Sequence, residues 1–208
     1  MRRSWLRFAA PTLAAVALGL GTVPPSYAQE TATQRLRGQV TAVNGDLIHL
    51  RTSNGTPATV LLAPDATVIS VTPAKLSDIQ PGRFVGTAAR PEPGGRWQTL
   101  EVHIFPVGSR IGEGHRPWAP EPGATMTNAD VVAAAVTTGN SKMTLSTGGQ
   151  TYEFDVPKGT PIVAMDPGTR AQIKKGARVA IGRAQRGAGG SYTAKNIEVI
   201  TAPNYPPK

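Results

Sequence analysis

The chain has 208 residues, with 22 basic against 13 acidic side chains, a net charge of +9 and no cysteine. The missing cysteine excludes disulfides, thiolate metal sites and thiol nucleophiles together. The 23 glycines and 19 prolines follow no short period, which excludes a collagen-like chain; beside persistent apolar alternation they fit strands and turns better than disorder.

Arg2, Arg3 and Arg7 precede an apolar run of 13 residues from Phe8 to Leu20, and residues 21–28 are polar and contain Pro24 and Pro25. Ser26-Tyr27-Ala28 places small residues at the two positions a signal peptidase reads. Residues 1–28 therefore read as an export signal cleaved between Ala28 and Gln29, and the mature protein is expected in the periplasm or secreted. The run is shorter than the roughly 20 residues a hydrocarbon core requires, so a retained anchor is not expected. Arg2-Arg3-Ser4-Trp5-Leu6-Arg7 also fits the twin-arginine pattern, which leaves both export routes open. Removing Arg2, Arg3 and Arg7 leaves 19 basic against 13 acidic residues, or +6, scattered along the chain. Such a surface is either simply solvated or attractive to an anionic partner.

After a short N-terminal segment, 29–35, residues 36–105 and 127–200 show the same succession of features, offset by 93 to 95 positions. Val43-Asn44-Gly45-Asp46 predicts a hairpin turn of type I′, with Thr138-Gly139-Asn140 at the matching place. Ile48 and Leu50 match Met143 and Leu145, Ser53-Asn54-Gly55 matches Thr147-Gly148-Gly149, and Val60 and Leu62 match Phe154 and Val156. Thr72-Pro73 and Asp166-Pro167 predict helix starts, with a capping oxygen before a proline. Each short helix carries one inward isoleucine, Ile79 or Ile173, and ends at Gly82 or Gly176. Two more strands follow, joined by Gly-rich loops at Pro91–Gly95 and Gly187–Gly190. Glu101-Val102-His103-Ile104-Phe105 lies over Asn196-Ile197-Glu198-Val199-Ile200.

Strand, strand, strand, short helix, strand, strand is the order of the five-stranded OB barrel. The expected fold is all-β with short helices, as two tandem five-stranded OB-like barrels. Residues 106–126 form a Pro/Gly-rich linker without apolar periodicity, and 201–208 form a tail, either an ordered strap or a frayed end.

Gly38-Gln39-Val40 with Val43-Asn44-Gly45-Asp46, and Leu76-Ser77-Asp78-Ile79-Gln80-Pro81-Gly82 leading into a Val-rich strand, carry a resemblance. They resemble a family of uncharacterised exported bacterial domains with OB-like strand order, over about a third of the chain. The second copy departs from it, with Arg170 where Leu76 stands. The resemblance implies a fold and an envelope location but no catalytic residues. The chain, including Gly114-His115-Arg116-Pro117-Trp118, is also similar to sequences described as metal-transporter permeases. A permease needs membrane spans, and no segment after the signal is long and apolar enough to be one.

Among side chains that could carry chemistry, Arg90 and Arg96 flank one Gly-rich loop and Arg183 and Arg186 the other, where arginines could hold phosphate or carboxylate. Trp97 and Tyr192 follow those loops and could stack on rings; the competing role is half-buried barrel packing. His49 and His103 alternate with apolar neighbours and read as solvent-facing. Glu113 and His115 are two residues apart and could begin a metal site, although Zn and Cu sites need three or four ligands. Trp118 reads as a pin for the linker. No nucleophile elbow, P-loop, zincin helix or dinucleotide fingerprint occurs, so no enzyme activity and no cofactor are expected. Nucleic acid is not an expected partner, because aromatics are few. The expected function is a non-catalytic exported binding or interaction module for an envelope protein or anionic ligand. The alternative is a soluble metal-binding accessory of a transport system, built on Glu113 and His115.

Overall fold

The computed structural model describes residues 33–135, 141–203 and 205. The export signal, its cleavage site at Ala28 and Gln29, and the turn expected at Thr138-Gly139-Asn140 lie outside the described residues.

The described chain is nearly all β. Its strands are β1 (Thr33–Asn44), β2 (Leu47–Thr52), β3 (Pro57–Pro73), β4 (Phe84–Glu92), β5 (Arg96–Ile104) and β6 (Gly114–Pro117). They continue with β7 (Thr125–Ala135), β8 (Ser141–Thr147), β9 (Gln150–Val156), β10 (Ile162–Pro167), β11 (Arg178–Arg186) and β12 (Tyr192–Ile200). Short 3-10 turns cover Leu76–Asp78, Arg170–Gln172 and Ala188–Gly190.

The ladders close in an order that alternation alone does not reveal. β1 pairs with β2, β2 with β3, β3 with β12 in parallel, β12 with β11, and β11 back with β1. This is a closed five-strand barrel, filled by Leu36, Val40, Ile48, Leu50, Val60, Leu62, Ile181 and Ile197 among others. Its first three strands come from residues 36–105 and its last two from 127–200. β4 and β5 do not return to this barrel. They pair with each other, β4 pairs with β7, β7 with β8 and β8 with β9. A short parallel ladder, Trp97 with Phe154 and Gln98 with Asp155, links β5 to β9 around a second core containing Val85, Val102, Leu145 and Phe154. The ladders therefore cross between the expected domains 36–105 and 127–200 rather than closing within each.

The cause lies in β3, which runs for 17 residues without turning back. A residue before proline is pushed toward extended backbone. Thr72-Pro73 and Asp166-Pro167 consequently continue a ladder instead of starting helices: β3 pairs with β10 from Ile69–Pro167 to Pro73–Val163. Val71 and Met165, 94 positions apart, face each other at the centre of that ladder. The helical turns begin later and last three residues; Lys75 and Thr169 cap them, each donating its backbone N–H to Asp78 Oδ2 or Gln172 Oε1 at 2.8 Å. Ile79 is buried in the second core and Ile173 in that of the closed barrel, so each turn serves the ring across the β3–β10 ladder.

Two local features differ from expectation. Asn44 ends β1 opposite Leu47, leaving Gly45-Asp46 as the loop, and only Gly45 has positive φ (59°), as in type II′ rather than type I′. In β3, residues 63–66 bulge against the single Lys195 of β12 because Pro64 cannot donate to a ladder. Arg170 serves the carbonyls the bulge exposes: it donates to Ala63 O at 2.5 Å and Pro64 O at 3.1 Å, and pairs with Asp46. That explains an arginine where the first copy has Leu76, which instead packs on the second core.

The segment 106–126 is not wholly irregular. β6 lies along β7 between Gly114–Asn128 and Pro117–Thr125, and β7 itself begins at Thr125. Arg110 anchors the loop before it, paired with Glu113 at 2.5 Å and Asp130 at 2.6 Å and lying 4.7 Å over the Phe84 ring. In the tail, Ala202 and Tyr205 are buried, and Arg178 donates to Ala202 O at 2.9 Å and to Tyr205 O. These residues form a strap.

Because the chain lacks cysteine, the crossing can be trapped. Thr33 of β1 and Gln185 of β11 are exposed cross-strand partners, and paired antiparallel Cα atoms lie about 4.5–5.5 Å apart, within disulfide range. Thr33→Cys with Gln185→Cys should give, on oxidation, a monomer that migrates faster on denaturing gels until reduced. Failure to form that species in a folded double variant would contradict the β1–β11 ladder.

Candidate functional site

The outer faces of the two rings meet in a cleft of about 190 Å³ lined by Arg35, Arg37, Glu101, His103, Trp118, Ala180, Glu198 and Tyr205, among others. Strand register explains its shape. Leu36 points into the barrel, so Arg35 and Arg37 on either side of it point out. Arg37 faces Ala180 on β11, and Ala180 faces Glu198 on β12. Residues directly opposite share a sheet face, so a cation, a methyl group and a carboxylate stand in one row. The small Ala180 leaves the gap. Beside it, Gly182-Arg183 form a bulge opposite Arg35, a distortion that often re-aims side chains near functional sites.

The facing wall is the outer side of β5 and β7. Glu101 and His103 alternate with the inward Val102 and Ile104, but both are buried, at 4 % and 9 % exposure. The expectation that His103 faces solvent therefore fails: the outer face of β5 is covered by Tyr205, whose ring meets His103 edge-on at 5.4 Å, and by Phe105 at 6.3 Å. His103 Nε2 lies 3.1 Å from Glu101 Oε1, off the hydrogen-bonding direction, and has no hydrogen-bond partner. A buried ring nitrogen left in this state costs free energy, on the order of 1–3 kcal/mol. His49, by contrast, is half-buried, with Nδ1 3.3 Å from Thr59 Oγ1.

Desolvation raises the pKa of Glu198 above the usual carboxylate range; Glu101 pushes the same way, and His103, Arg37 and Arg35 oppose it. Burial likewise pushes the Tyr205 hydroxyl up. A carboxyl whose folded pKa is raised binds its proton more tightly in the native state. Its penalty is absent below the unfolded value of about 4.3 and grows as pH rises through the folded value. Glu198→Gln should thus melt at a higher temperature than the parent at pH 7.5 and at the same temperature near pH 4. Calorimetric scans at the two pH values test this, and an equal or lower melting point at pH 7.5 would contradict it.

The residues singled out in the sequence are dispersed. Arg90 borders an adjoining groove with Arg37, Glu101, Trp118 and Glu121, and lies 3.4 Å from the Glu121 carboxylate. Arg96 pairs with Asp155 at 3.5 Å, and Arg183 and Arg186 are exposed on β11. Trp97 and Tyr192 are half-buried against the two cores, and the Tyr192 hydroxyl donates to Gln34 Oε1 at 2.9 Å. Trp118 pins the linker against the cleft wall, its backbone N–H donating to Ala124 O at 2.8 Å.

Glu113 and His115 do not converge. Glu113 is occupied by Arg110, whereas His115 stacks on Tyr152 at 4.5 Å, meets Trp97 edge-on at 5.2 Å and has Nδ1 2.8 Å from Thr127 Oγ1. Burial lowers the pKa of His115. Among the described residues no group of three His, Asp or Glu side chains could hold a metal ion, and no helix is long and apolar enough to cross a membrane.

Arg35, Arg37 and Glu198 carry no motif. Only the alternation around Leu36 could have drawn attention to the two arginines. Compared with family models, curated proteins and solved structures, the chain finds no match in any of the three.

Proposed function

We propose that the protein is a non-catalytic, exported binding module whose ligand carries an anionic group held by Arg35 and Arg37. Both rings are read as OB-type barrels, related as the copies of a tandem repeat; the pairing of Val71 with Met165 supports this reading. The reading of residues 1–28 as an export signal supports a periplasmic location. One observation carries the binding role: two arginines project beside a cleft, and among the described residues neither guanidinium has an ion-pair or hydrogen-bond partner. A guanidinium pair with no carboxylate in direct contact is available to an external one, with the planar fork suited to carboxylate or phosphate. Adjoining grooves extend the same surface past Ser53, Ala119 and Pro120 on one side and past Arg90 on the other.

Titration of the labelled protein with hexanoate and with inorganic phosphate, followed by backbone amide shifts, tests the reading. Shifts should concentrate at Arg35–Arg37 and Ala180–Gly182 and should disappear in Arg35→Ser/Arg37→Ser at unchanged melting temperature. Shifts that persist in that variant would refute the arginine site.

A further inference from the structure

The cleft that holds the arginine pair also holds an acidic side, and the two are not in direct contact. Arg37 and Glu198 stand in one row with Ala180 between them. They are two strand spacings apart, about 10 Å along the sheet, and they form no ion pair. Glu101 and His103 approach the same space from the opposite wall. His103 lines the cleft with its ring nine-tenths buried, and its Nε2 has no hydrogen-bond partner. Opposite charges kept apart across a gap, with a buried nitrogen unsatisfied at its acidic side, form a dipolar receptor. An anion alone would leave the buried Glu101 and the half-buried Glu198 without a cationic contact, and an amine alone would leave the exposed arginines without an anionic one.

We infer that the ligand of this cleft is a small zwitterion, an ω-amino acid type molecule whose carboxylate meets Arg35 and Arg37 while its ammonium group meets Glu101 and Glu198. The inference rests on the anionic-ligand reading above and adds the cationic half. Trp118 and Met126, which also line the cleft, supply apolar contact for the methylene chain between the two charges. The cleft volume lies below the 300–1,000 Å³ or so of drug-sized pockets, which limits the ligand to a compact molecule. The separation of the rows favours a chain of several methylenes over an α-amino acid.

Titration calorimetry of the full mature chain with glycine, 4-aminobutanoate, 6-aminohexanoate, hexanoate and hexylamine tests this. A chain-length optimum among the amino acids is expected, with the best of them binding at least tenfold more tightly than hexanoate or hexylamine. Glu198→Gln, which keeps the side-chain shape, should reduce the best amino acid to the hexanoate level and leave hexanoate itself unchanged. Glu101→Gln, checked by its melting curve, should act in the same direction. Equal affinity for hexanoate and every amino acid, unaffected by Glu198→Gln, would overturn the zwitterion and leave the arginine site standing. Absence of binding by all five compounds would overturn both.

Discussion

Phe154→Ala should destabilise the protein by about 3–5 kcal/mol, the usual cost of removing a buried aromatic ring. Phe154 is 1 % exposed and sits in the second core with Val102, Met143 and Leu145. Its backbone matters as well, because the Trp97–Phe154 pair is one of only two that join β5 to β9. A domain of ordinary stability has about 5–15 kcal/mol in total, so the loss is a large fraction of the whole. The crossing of the ladders makes a further demand. β4 and β5 are joined to β3 through the turn at Leu76–Asp78, and β3 belongs to the other ring. Loosening the second ring should therefore lower the single urea midpoint detected by both tryptophan fluorescence and far-ultraviolet dichroism. Two separated transitions, with the closed barrel melting at its original midpoint, would show that the rings are independent.

Gly38→Ala should be nearly as damaging for an unrelated reason. A Cβ at this position would lie 2.2 Å from the carbonyl oxygen of Arg51 and 2.8 Å from Cα of Thr52, both backbone atoms of β2. Gly38 also pairs on its other side with Val179 of β11, so β1 cannot retreat without disturbing a second ladder. Overpacking of this kind costs about 1–3 kcal/mol and sometimes more, and here the obstructing atoms belong to the chain rather than to a flexible side chain. Gly182→Ala is the control: nothing lies within 4 Å of its added methyl group, and its stability should change by less than about 0.5 kcal/mol. Equal urea midpoints for Gly38→Ala and the parent would show that β1 and β2 are less closely apposed than described.

Much of the architecture is legible in the sequence, and its limits have physical causes. Val60 and Leu62 alternate and are buried; Ile79 and Ile173 are the apolar residues of their turns and enter cores. Alternation states which face of a strand is inward, but it carries no information about which strand lies alongside. The β4–β5 hairpin, with Val85, Val102 and Ile104 inward, has the same pattern whichever ring it joins. Only the extension of β3 as far as Pro73 decides, and a proline there is equally compatible with a helix start. His103 was legible as outward-facing but not as buried, since the cover comes from Tyr205, about a hundred residues downstream. The cleft itself is the least legible feature. Arg35 and Arg37 acquire their setting from the smallness of Ala180 and from Glu198, both reached only through two ladders of long sequence separation.

The shared ladders also set an order of events during synthesis. The strands made first, β1 to β3, find their partners β11 and β12 only when residues 178–200 have left the ribosome. Until then β1 and β3 are open edges with apolar faces, the kind of surface that invites pairing with other chains. β4 and β5 are satisfied earlier, once β10, which also pairs with β5, ends at Pro167. The N-terminal part of the chain thus stays unfolded longest, with contacts spanning most of the sequence and correspondingly slow closure. A nascent chain in that condition is a substrate for holding chaperones, and it is also in the form that a translocation channel for unfolded polypeptide can thread.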